Sequence, residues 1–190
     1  MVAVIVVIAI VVLLLLSVAL FYNGLVRTRN RVDNAWSQID VQLKRRYDLI
    51  PNLVETVKGY AAHERQTLEA VTNARSNAIN AQQSGNVEQQ AQAENVLSGA
   101  LKSLFAVAEA YPDLKANQNY QQLQVELSDL ENKIAAARRF FNNTAAEYNA
   151  TRESFPAVLF AQSMGFGPQE FFNLEETERT AVKTAPQVKF

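Results

Sequence analysis

The stretch YQQLQVELSDLENKIAAARRFFNNTAAEY, residues 120–148, settles the fold class. Its apolar residues Tyr120, Leu123, Leu127, Leu130, Ile134, Ala137, Phe141, Ala145 and Tyr148 recur at alternating three- and four-residue steps. On a helix of about 3.6 residues per turn they form one narrow stripe, which partner helices must cover. The same spacing runs upstream through Val32, Trp36, Ile39, Leu43, Tyr47, Ile50, Val54, Val57 and Ala61, then Leu68, Val71 and Ala78. It returns at Leu97, Leu101, Leu104, Ala108 and Tyr111. With Gly and Pro scarce and Ala, Gln, Asn, Glu and Leu abundant, the pattern predicts an all-α protein.

Breakers divide the pattern. Ile50-Pro51 disfavours helix at Ile50 and removes a backbone donor, placing a boundary or kink near residues 48–51. Ser84-Gly85-Asn86 reads as a turn, as does Tyr111-Pro112-Asp113. Helices are therefore expected near residues 25–48, 51–83, 87–111 and 114–150. The three-four pattern also runs through Pro51 unbroken, which leaves a single kinked helix over 25–83 as the other reading. Connections this short make neighbours antiparallel and predict an up-and-down four-helix bundle.

Residues 1–22 carry no charged side chain and include sixteen Val, Ile, Leu and Phe. At about 1.5 Å per residue this run reaches roughly 33 Å, against a hydrocarbon core of about 30 Å. A cleaved secretory signal would bring a basic start, a shorter apolar stretch and small residues at its end, whereas Phe21-Tyr22-Asn23 stands here. With no Cys there is no residue to acylate. The run is read as a retained single-pass anchor. Arg27, Arg29 and Arg31, then Lys44, Arg45 and Arg46, follow it, so the positive-inside rule puts the N-terminus outside and the remaining domain in the cytoplasm. The near-zero net charge of −1 argues against a nucleic-acid surface.

Residues 155–172 hold Phe155, Phe160, Phe166, Phe171 and Phe172, half of the ten Phe, among Pro156, Gly165, Gly167 and Pro168. They are read either as a cap over the open end of the bundle or as an aromatic surface for another subunit, a membrane-protein partner or lipid. The expected organisation is an anchor over 1–22, a bundle with its Phe-rich cap over 23–174, and a disordered tail over 175–190. That tail ends Pro186-Gln187-Val188-Lys189-Phe190, where Val188 and Phe190 alternate as in extended peptides that add to a sheet edge. These two residues are the candidate docking positions of the tail.

The residues resemble a known family at Tyr22-Asn23-Gly24-Leu25-Val26, along RNRVDNAWSQIDVQLKRR (residues 29–46), and along DLIPNLVETVKGY (residues 48–60). Further landmarks are AAEYN at residues 145–149, Phe155-Pro156 and Gly165-Phe166. Together these are similar to the LemA family over nearly the whole chain. The resemblance implies a bacterial membrane protein with one N-terminal span and a helical bundle, and it leaves the biochemical role open. A Pro-x-Val-x-Phe ending is also implied by that likeness.

Enzymatic chemistry is not expected. A carboxylate-bridged di-iron bundle needs Glu-x-x-His twice, and the chain has one His. His63-Glu64 opens like a zinc protease signature, but Thr67 stands where the second His belongs. The six Gly are scattered, so no phosphate loop forms. No catalytic, metal or cofactor-binding residue is assigned, and neither a cofactor nor a small-molecule substrate is expected. Lys44, Arg45 and Arg46 are read as a solvated face, Trp36 as core, and Arg138 and Arg139 as neighbours of Phe140 and Phe141 with cation-π contact as a refinement. Two function classes follow. The first is a scaffold or adaptor in the bacterial inner membrane that meets the bilayer, copies of itself and other membrane proteins. The second is a tethered sensor or ligand-binding bundle facing outside the cytoplasm, which would usually need a second span.

Overall fold

The computed structural model describes residues 1–172, so the tail with Val188 and Phe190 lies outside the described residues. Within them the chain forms α1 (Val2–Lys58), α2 (Arg65–Ser84), α3 (Val87–Ala108), α4 (Pro112–Lys115) and α5 (Gln118–Glu153), then a 3-10 turn at Ala157–Leu159. No strand occurs among the described residues. The protein is all-α, as its apolar spacing requires. Its first helix is long and apolar enough to cross a membrane, and the chain itself buries none of that apolar window.

The expected boundary at Pro51 is overturned. α1 runs through Pro51 for another full two turns to Lys58, and the break falls at residues 59–64 instead. Pro51 has no N–H to give the carbonyl of Tyr47, the acceptor four residues earlier. That oxygen takes a hydrogen bond from Arg75 Nε of α2 at 2.7 Å, so the helix continues without an orphaned acceptor. The kinked-helix reading is also corrected at its end, because Gly59, Tyr60 and the following loop separate α1 from α2.

Other boundaries fall where the breakers put them. α2 ends on Gly85 in the left-handed conformation at φ 70°, and Asn86 caps α3 by accepting the Gln89 N–H at 2.8 Å. Pro112 opens α4, a single turn whose Leu114 is buried. Asn117 then caps α5 by accepting the Tyr120 N–H at 3.0 Å.

The described residues form two compact units. The first combines Met1–Gln38 with Arg139–Glu170, and the second combines Ile39–Arg138 with Phe171 and Phe172. In the first, Leu25, Val32, Ala35, Phe141, Ala145, Tyr148 and Phe166 are buried. In the second, Ile39, Leu43, Ile50, Leu53, Val57, Val71, Leu97, Leu104, Leu127 and Ile134 form the core. Each such aliphatic side chain contributes about 1.5–3 kcal/mol of burial. The stripe of α1 is rotated slightly from its expected phase: Ala35 and Leu53 are fully buried where Trp36 and Val54 are half-buried. Trp36 still packs, edge-on to Phe141 at 5.1 Å.

Candidate functional site

Two constellations stand out, one in each unit. In the second, Arg46 is completely buried. Its guanidinium donates to Glu94 of α3, also completely buried, to Glu131 of α5, and to Ser98 Oγ at 3.0 Å. The Tyr47 hydroxyl donates to the second oxygen of Glu94. Both carboxylate oxygens of Glu94 are thereby engaged, one by a cation and one by a phenol, as a buried charge demands. Burial pushes the Tyr47 phenol up to about 12, against the opposing pull of Arg46. This is a pairing geometry that draws α1, α3 and α5 onto one point.

The expectation that Lys44, Arg45 and Arg46 form a solvated face is corrected for Arg46. Lys44 and Arg45 are exposed, but Arg46 stands in phase with Ile39, Leu43, Ile50, Leu53 and Val57. Glu94 is likewise in phase with Leu97, Leu101 and Leu104. A charge on an apolar stripe was the legible signal, and adjacency to other charges concealed it. Beside this cluster, a groove of about 460 Å³ between α3 and α5 is lined by Leu101, Lys102, Phe105, Val125 and Glu131 among others. His63 is exposed in the loop after α1, so the helical face that a zinc signature requires is missing at that point.

In the first unit the end of α5 holds the Phe-rich segment by its backbone. Tyr148 Oη donates to the Gly167 carbonyl at 2.8 Å, and Arg152 Nε to the Phe166 carbonyl at 3.0 Å. Asn149 grips Gln169 twice: its amide donates to the carbonyl and its oxygen accepts the backbone N–H, each at 2.9 Å. Two of these residues, Tyr148 and Asn149, close the AAEYN landmark. Burial lifts the Tyr148 phenol above its ordinary value, with Arg29 and Arg152 opposing.

The five Phe do not converge on one surface. Phe166 is buried edge-on against Tyr22, with centroids 5.4 Å apart. Phe160 is half-buried and Phe155 is 80% exposed. In the other unit Phe172 is buried beneath Arg138, whose guanidinium carbon sits 4.6 Å from the ring centroid, while Phe171 is exposed. Arg138 thus finds a ring 34 residues along the chain, at Phe172.

Fold and constellations define a class: helical proteins whose N-terminal helix has membrane-spanning length and continues into a domain pinned by a buried arginine. The family model of the LemA family matches residues 35–190. A protein LemA of Metamycoplasma hominis is 32% identical over 180 residues, covering 90% of this chain and 80% of its own. The chain belongs to the LemA family. It is also similar to the magnetosome protein MamQ of Magnetospirillum gryphiswaldense, at 25% identity over 88% of this chain and 70% of that protein. Magnetosome protein MamQ 2 of Paramagnetospirillum magneticum is 24% identical over the same shares.

Proposed function

We propose that the chain is a non-enzymatic scaffold of the bacterial cytoplasmic membrane, anchored once through residues 1–22, with its N-terminus outside and its helical domain in the cytoplasm. The observation that carries this reading is α1 itself: its apolar run is uncovered by the chain and passes without a break into a helix with a buried face. Sixteen large apolar side chains, at a few tenths of a kcal/mol each, favour insertion by several kcal/mol.

The domain is read as an antiparallel four-helix arrangement of α1, α2, α3 and α5. Side-chain pairs between the helices support this. In the second unit Asp40 pairs with Gln82 and Tyr47 with Arg75, so α2 descends as α1 ascends. Arg46 pairs with Glu131 and Tyr60 with Asn117, and α5 runs opposite to α1 in the same way. In the first unit Trp36 pairs with Phe141 and Arg31 with Glu147, in the same sense. Such helices offer faces to copies of the chain or to other membrane proteins.

Carbonate extraction of membranes tests the anchor, and single cysteines test the side. The full chain is expected in the carbonate-resistant pellet, and a cysteine at E69C is expected to resist a membrane-impermeant maleimide in intact cells and react after lysis. Release by carbonate overturns the anchor, and labelling in intact cells overturns the orientation. A strictly monomeric particle after solubilisation at micromolar concentration overturns self-association.

A further inference from the structure

The first unit presents an apolar surface that the chain does not cover. Between Glu153 and Glu170 no residue carries a charge. Within that stretch Phe155 and Leu159 are 80% and 74% exposed, and Val158 and Met164 are exposed as well. Large apolar side chains on a water-facing surface are ordinarily scattered, whereas these four lie within ten residues. They are not a core left open, because Ala157, Ala161 and Phe166 from the same segment are already buried.

We propose that residues 154–166 lie in the lipid headgroup boundary, beside the point where α1 leaves the bilayer, with Phe155, Val158, Leu159 and Met164 facing lipid. This rests on the reading that residues 1–22 span a membrane. Position is the decisive argument. Phe166 packs against Tyr22, the last residue of the uncharged apolar run, so the segment is tied to the level where that run ends. Arg27 and Arg29 are exposed within two turns beyond Tyr22, on the side where anionic headgroups would meet them. The grip of Tyr148, Asn149 and Arg152 on residues 166–169 holds the adjoining backbone, which reduces the ordering left for membrane contact.

The chain has no Cys, so single-cysteine variants of the full protein report one position each. F155C, L159C, V12C and E69C are labelled with an environment-sensitive fluorophore and reconstituted in phosphatidylcholine–phosphatidylglycerol vesicles. Lipids carrying a quencher at shallow or deep acyl positions are then added. A segment seated about 5–10 Å into the boundary predicts that labels at 155 and 159 lose roughly half their emission to the shallow quencher and little to the deep one. V12C is expected to respond to the deep quencher and E69C to neither. If V12C is quenched while F155C and L159C are not, the interfacial segment is overturned and the anchor stands. Labels at 155 and 159 that are shielded from aqueous iodide yet immune to both lipid quenchers mean that protein covers the surface, which also overturns it. If V12C itself escapes quenching, the anchor fails and takes this proposal with it.

Discussion

The first and second halves of α1 invert the usual relation between hydropathy and burial. Residues 1–22 are the most apolar stretch in the chain and are almost wholly uncovered, while Arg46, on the same continuous helix, is completely buried. What differs is the partner. The later half meets Glu94, Glu131 and Ser98, which take up its charge, whereas the chain buries none of the apolar window in the earlier half. Burial within a protein is thus decided by which neighbour can satisfy a side chain, not by how apolar that side chain is.

The contrast breaks first at Arg46. R46M leaves Glu94 buried without its cation and is expected to cost about 3–5 kcal/mol in urea unfolding of the detergent-solubilised protein. Pairing it with E94M should recover most of that loss; an R46M variant as stable as the parent would mean that the buried pair holds nothing. The opposite end is tested by placing a cation in each half of the helix. L13R should weaken insertion by about 2.5–3.5 kcal/mol and lower the carbonate-resistant fraction, while V41R, at an exposed position of the later half, should shift unfolding by less than about 0.5 kcal/mol.

Smaller effects sharpen the later half alone. R75M removes the donor that serves the Tyr47 carbonyl and should cost about 1–3 kcal/mol. The cost should shrink in a P51A background, where residue 51 regains an N–H for that oxygen. Tyr47 also makes a pH prediction: because the folded phenol holds its proton to about 12 against an ordinary 10.0, its contribution is intact below pH 10 and is lost as pH rises toward 12. Stability measured across that window should fall more steeply for the parent than for Y47F. Least of all, R31Q breaks an ion pair with Glu147 that is half-exposed on both sides and should cost no more than about 1 kcal/mol in the same urea unfolding assay.

Helix identity, the turn at Gly85 and the anchor-like run were legible because each is written locally, in spacing, in a glycine or in a stretch without charge. The passage of α1 through Pro51 was not, since the group that completes Tyr47 lies 28 residues away on another helix. Arg46 was half-legible: its phase on the stripe announced burial, but its counter-ions lie 48 and 85 residues downstream, and nothing local distinguishes them from solvated acids. The Phe-rich segment was legible as a feature and not as a division. Which rings turn inward depends on Tyr22 and Arg138, both distant in the chain.

The hold of Tyr148, Asn149 and Arg152 falls on backbone carbonyls and one backbone N–H, atoms that every residue type but proline shares. Such a fastening dictates route and is indifferent to composition. The outward positions Phe155, Val158 and Leu159, which take no part in it, can therefore be exchanged with the fastening helix left as it is.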